Sequence, residues 1–360
     1  MEPASARFVR GLADVGAADR ACAGGKAASL GELARAGIAI PGGYVVTAEA
    51  FGCVIGALEG SGAIRGKIEE LPPYDVDATA RAAAGIRARI MAAPLPPDVA
   101  AEIMAAHQEL DATAVAVRSS ATMEDSEQAS FAGLQDTYLG VRGADAVLDR
   151  VRACWASLYN DESVAYRRRM GIREDGLAMG VVVQRMLSPR AAGVMFTRSP
   201  VTGDRSVVAI EGTWGLGSAL VAGEVTPDGF TVSKVTGEIT GRRVGAKFRL
   251  HSFLPNGQGV FVRPMPAALR GSPCLTDDEA RALASVARRV EEHYGTPQDI
   301  EWALLGDDPA CPARHADPAD RIVLLQSRPE TVWAARDRVP VATAKPRASD
   351  HILALFGKAP

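Results

Sequence analysis

The sequence predicts an α+β protein whose sheets are largely antiparallel. Three features carry that expectation. The first hundred residues are patterned mostly as helix, short apolar runs ending in a polar residue begin beyond Ala112, and helical stretches lie between groups of those runs. Length sets the scale: 360 residues exceed one ordinary single-core domain, so two lobes are expected. Their boundary falls near residue 190, giving lobes over 1–190 and 191–332, with 333–360 as linker and tail.

Taken in order, Gly24-Gly25-Lys26 opens a helix over Ala27–Ala36, in which Leu30 and Leu33 recur at helical spacing and Gly37 supplies the stop. Gly42–Thr47 reads as a short strand, and Ala48 begins another helical stretch. Prolines at 72–73 and 96–97 punctuate the chain beyond it. The strand runs are Val115–Arg118, Val181–Gln184, Gly193–Phe196, Val207–Glu211, Asp299–Leu305 and Ile322–Arg328. Helical stretches over Ala144–Arg169 and Thr276–Tyr294 separate them. Beyond Pro329 the composition loosens, and Val339–Asp350 reads as a linker.

Composition excludes several function classes. With 47% apolar and 23% charged residues, the chain can bury a sizeable core. A net charge of −3 argues against a nucleic-acid binder, and six lysines beside 34 arginines suggest coding bias rather than a basic patch. The five cysteines are odd in number and scattered, which disfavours a disulfide framework or a structural zinc site and suits a reducing cytoplasm. No apolar run approaches the ~20 residues of a membrane helix.

Two late strands carry the most chemistry. In Asp299-Ile300-Glu301-Trp302, alternation puts both carboxylates on one face, and in Leu325–Arg328 it puts Gln326 beside Arg328. If these strands pair, a carboxylate, an amide oxygen and a guanidinium converge. Oxygen donors of that kind suit Mg²⁺, and an arginine alongside suits phosphate. The same pattern also fits a solvated face with ordinary salt bridges. A second group is Arg118-Ser119-Ser120, which leads into a loop rich in small residues that includes Gly133 and is suited to covering phosphates. Lys26 comes after two glycines at a helix start, where anions are attracted, although Ala27 rules out a Walker A motif. Gly215-Leu216-Gly217 falls short of a dinucleotide fingerprint because Leu220 stands where the third glycine belongs, and it reads as a loop beside the site. The five histidines have no glycine- or hydroxyl-rich approach and read as structural or solvated.

Several segments in series resemble the N-terminal ATP-binding domain of the phosphoenolpyruvate synthase and pyruvate phosphate dikinase family, which rifamycin phosphotransferases also carry. They are GGKAASLGELARAGIAIPGGYVVTAEAF, VAVRSSATMEDSEQASFAGLQDTYLGV, VVVQRMLSPRAAGVMFTRSPVTGD, EGTWGLGSALVAGEVTPD, DIEWAL and LLQSRPET. The resemblance implies an ATP-grasp-like fold holding ATP between two lobes. It implies phosphate contacts from Lys26 and Arg118, a covering loop with Gly133 and Thr137, and a base contact at Gln184. It further implies a metal and phosphate corner of Asp299, Glu301, Gln326 and Arg328, in which Glu301 and Gln326 are the Mg²⁺ ligands. The sequence has no Gly-Gly-x-x-x-His-Ala segment of the family's phosphorylated-histidine domain. Set against the resemblance, that departure leads us to expect the histidine on a partner subunit, as in the small ATP-binding subunit of phenylphosphate synthase, with a small-molecule acceptor reached through the partner. A non-catalytic ATP-binding module and a self-sufficient small-molecule kinase are the alternatives.

Overall fold

The computed structural model describes residues 7–62, 64–72, 75–123, 136–253, 259–306, 317–331 and 333. Residues 1–330 form one compact unit and 331–360 a second. The predicted loop around Gly133 and the predicted linker and tail, Trp333 apart, lie outside the described residues.

The first half of the chain runs β1 (Val9–Gly11), α1 (Arg20–Arg35), β2 (Gly43–Val46) and α2 (Ala48–Gly60). It continues through α3 (Gly66–Glu69), α4 (Val76–Ala92), α5 (Pro97–Leu110), β3 (Val115–Ala121) and β4 (Thr137–Val141). After α6 (Ala144–Ser157) and α7 (Asp161–Met170) comes β5 (Met179–Arg185). These strands form a five-stranded antiparallel sheet in the order β1-β2-β5-β3-β4. One face, carrying Val117, Val181, Val183 and Tyr44, packs in a core that takes in residues of α2, α4 and α6. On the other face Val45 and Val182 pack with Ala23, Ala27 and Leu30 of α1.

The second half runs β6 (Pro189–Phe196), β7 (Val207–Trp214), α8 (Ser218–Val221), β8 (Asp228–Ser233) and β9 (Ile239–Arg243). A hairpin of β10 (Arg249–Phe253) and β11 (Val260–Pro264) comes next, then α9 (Ala267–Arg270), α10 (Asp277–Tyr294), β12 (Gln298–Leu305) and β13 (Ile322–Pro329). The resulting six-stranded antiparallel sheet has the order β13-β12-β6-β7-β8-β9. Met195, Ile210, Ile300 and Trp302 face α10 and form its core with Leu283 and Ala287. A capping box starts α10, Thr276 accepting from the Glu279 N–H while the Glu279 carboxylate accepts from the Thr276 N–H.

Two predicted elements differ in detail. The helix expected from Ala27 begins at Arg20 and kinks at Gly24, whose φ of +80° is the left-handed region. A Cβ there would lie 1.9 Å from the Ser120 carbonyl oxygen, so this close approach to β3 requires glycine. The stretch expected over Ala144–Arg169 is two helices, α6 and α7, separated by Asn160 with extended backbone.

Candidate functional site

Alternation along β3 sends Ala116, Arg118 and Ser120 to the same face as Val182 and Gly180, their cross-strand partners on β5. From there the buried Arg118 reaches the six-stranded sheet. Its Nη1 donates to the Leu325 carbonyl oxygen at 2.6 Å, and its Nη2 donates to Glu301 Oε2 at 3.1 Å and Gln326 Oε1 at 2.9 Å. Glu301 and Gln326 are direct cross-strand partners on β12 and β13, which brings the two oxygens to one guanidinium. Two positions along, Asp299 and Arg328 are also cross-strand partners, and Arg328 donates to Asp299 Oδ2 from Nε at 2.8 Å and Nη2 at 2.6 Å. Burial nevertheless pushes the Asp299 carboxyl above its ordinary value, because the Arg328 charge and hydrogen bonds offset only part of the desolvation and Glu301 and Glu330 add negative charge.

A cavity of about 380 Å³ lies beside Arg118 and Glu301, within the usual range for a small-ligand site. Thr137, the cross-strand partner of Arg118, lines it, as does Gln184, the partner of Ala116. Met186, Leu187, Val194 and Leu216 make it mostly apolar. Gln184 is 2% exposed, and its Nε2 has no hydrogen-bond partner among the described residues. A buried unmet donor costs about 1–3 kcal/mol, so an acceptor on a ligand is its natural complement.

The structure thus brings Arg118, Thr137, Gln184, Glu301 and Gln326 together, with the Asp299–Arg328 pair adjoining along the sheet. Lys26 is elsewhere. It lies buried just past the Gly24 kink, where the Ser120 hydroxyl accepts from the Ala27 N–H and donates to the Ala23 carbonyl. It is not among the described residues lining the cavity. Gly133 lies outside the described residues. Gly215–Gly217, expected as a loop beside the site, contributes Leu216 and Gly217 to the cavity wall.

Among the described residues no cluster of three or more His, Cys, Asp or Glu side chains is placed to hold a metal ion. One carboxylate and one amide oxygen, side by side at Glu301 and Gln326, fit an ion that completes its shell with water and phosphate, as Mg²⁺ does. The described residues also include no helix long and apolar enough to cross a membrane.

Comparison with known proteins agrees with this geometry. Residues 20–349 match the family model "Pyruvate phosphate dikinase, AMP/ATP-binding domain". A "Rifampicin phosphotransferase" of a Streptomyces species is 44% identical over 332 residues, covering 91% of this chain and 36% of that protein. A "Probable phosphoenolpyruvate synthase" of Staphylothermus marinus is 39% identical, covering 95% of this chain and 43% of that protein. Another, of Methanothermobacter thermautotrophicus, is 39% identical, covering 90% and 46%. The chain therefore spans less than half the length of each of these relatives. With a family match over nearly the whole sequence and a mixed fold of antiparallel sheets around a polar-ended cavity, the chain belongs to the AMP/ATP-binding domain family of pyruvate phosphate dikinase.

Proposed function

We propose that the chain is the ATP-binding component of a split, phenylphosphate-synthase-like phosphotransferase acting in the cytoplasm. It positions Mg·ATP so that a histidine on a partner subunit attacks the β-phosphorus. The bond between the α,β-bridging oxygen and that phosphorus breaks, AMP leaves with the electron pair, and the histidine holds the pyrophosphoryl unit; its terminal phosphoryl group then passes to a second acceptor such as water, and the β-phosphoryl group left on the histidine goes to the small-molecule acceptor. The carrying observation is Arg118, a buried cation held at the end of an apolar cavity against Glu301 and Gln326.

Transfer of this kind needs positioning and charge neutralisation rather than a covalent group on this chain. Arg118, Arg328 and Lys26 supply positive charge at the phosphate end. Thr137 donates from beside Arg118, on the neighbouring strand. Glu301 and Gln326 would hold Mg²⁺, which when bound would neutralise phosphate charge. At the apolar end, the free Nε2 of Gln184 donates to a ring nitrogen of the base.

The test is nucleotide product analysis. Purified chain is incubated with Mg·ATP, alone and with a co-purifying partner, and AMP and ADP are separated by chromatography. AMP that forms only with the partner is the expected result. ADP from the chain alone would mean a self-sufficient kinase or ATPase, and ATP left intact under both conditions would mean a non-catalytic binding module.

A further inference from the structure

A polar relay leads from the surface to the wall of the cavity. Ser218, the first residue of α8, lines the cavity, and its Oγ lies 2.9 Å from His251 Nδ1 on β10. The other ring nitrogen, Nε2, lies 3.4 Å from Glu224 Oε2, and Glu224 accepts a hydrogen bond from Arg249 Nη1 at 2.8 Å. The backbone fixes the assembly: the Leu216 N–H donates to the His251 carbonyl at 2.9 Å, and a Cβ at Gly215 would lie 2.4 Å from that same oxygen. His251 is only 6% exposed, so its ring is held by these contacts rather than by solvent.

The relay leaves Ser218 an acceptor for the cavity. The Arg249 hydrogen bond holds the Glu224 carboxyl below the usual carboxylate range. An ionised carboxylate only accepts, so His251 Nε2 is the donor to it. Whether the Ser218 hydroxyl donates to Nδ1 or accepts from it, its oxygen keeps at least one lone pair for the cavity. At this point the wall offers an acceptor to a ligand hydroxyl.

Position along the sheet says which part of a nucleotide that is. Glu301 pairs with Val194 on β6, and Ala303 pairs with Ala192. A Cβ at Gly217 would lie 3.6 Å from Ala192 Cβ, so the start of α8 sits over Ala192. That is two strand residues from Glu301, about 7 Å, on the side away from the Asp299–Arg328 pair. With phosphates at Arg118 and Glu301, the next portion of the ligand is the sugar. We infer that Ser218 is a specificity residue that accepts a hydrogen bond from a ribose hydroxyl of the bound nucleotide, with His251 as its positioning residue. This inference rests on the nucleotide reading of the cavity.

The test compares ATP, 2′-deoxy-ATP and 3′-deoxy-ATP, each with Mg²⁺, by titration calorimetry on the full chain. Wild type is expected to bind ATP about tenfold more tightly than the analogue lacking the contacted hydroxyl, the worth of one hydrogen bond. Ser218→Ala is expected to lose that ratio, Ser218→Thr to keep it because the hydroxyl remains, and His251→Ala to reduce it with Ser218 intact. Equal wild-type affinity for all three nucleotides, or an unchanged ratio in Ser218→Ala, would overturn the inference and leave the nucleotide reading standing. No binding of any of the three would overturn both.

Discussion

Asp299 and Arg118 show how differently charge is handled within one corner of the site. Arg118 is 8% exposed and spends its donors on three oxygens of the facing sheet. Asp299 holds a double hydrogen bond from Arg328, yet burial and the nearby Glu301 and Glu330 leave its carboxyl raised. Between the ordinary carboxylate value and the raised one, the native state holds more protons than the unfolded state, so stability falls as pH rises through that interval. Asp299→Asn removes the titration. In urea melts between pH 4 and pH 7, wild type should therefore lose stability relative to Asp299→Asn as pH increases; a flat or opposite trend would remove the burial argument. Most of this corner was legible in the sequence, because a period of two in DIEW and LQSR places Asp299, Glu301, Gln326 and Arg328 by alternation alone. The bond from Arg118 to Gln326 was not, since it joins residues 208 apart in sequence. Nor was the Ser218–His251–Glu224 relay, which joins the segment of Ser218 and Glu224 to His251 on a later strand and leaves no local spacing to read.

At the scale of elements, one feature that sequence patterns did not disclose is made by tertiary contact. The Gly24 kink looks like a helix start because glycine signals a break, but neighbouring β3 decides that the helix continues on both sides of it. Strands β9 and β11 were missed for a different reason: ITGRR and VFVRP are half-buried or exposed along their length and lack the apolar alternation of β7. The kink yields a measurable contrast. Gly24→Ala meets both a left-handed backbone and the Ser120 carbonyl, whereas Gly37→Ala, at φ +68°, has nothing within 4 Å of the new Cβ. Gly37→Ala should cost about 1–2 kcal/mol from backbone strain alone. Gly24→Ala should cost roughly 3 kcal/mol or more, since overpacking against a rigid backbone adds to the strain. Equal urea midpoints for the two variants would show that helix and strand do not meet as described.

Across the whole of residues 1–330, the cavity is also a seam between two sheets. Arg118 ties β3 to β12 and β13, the Ser29 hydroxyl of α1 donates to the Ser327 carbonyl at 2.6 Å, and the Leu324 N–H donates to the Ala39 carbonyl at 2.9 Å. Helix α1 therefore serves both layers, with Ala27 and Leu30 in the core under β2 and β5 and Leu33 in the core under α10. Sheets coupled in this way should unfold together, and a ligand bound in the seam should stabilise both. At a hundred times its dissociation constant, Mg·ATP would contribute about 2.7 kcal/mol. For a unit of this size that is on the order of 4 °C in the thermal midpoint. Calorimetry should show one transition for residues 1–330, raised by that amount with Mg·ATP and raised much less in Arg118→Met, where the charge that holds the facing strand, and that the proposed function assigns to phosphate, is gone. Two transitions, with nucleotide shifting only one, would mean that the sheets are stabilised independently and that Arg118 is a local contact rather than the tie between them.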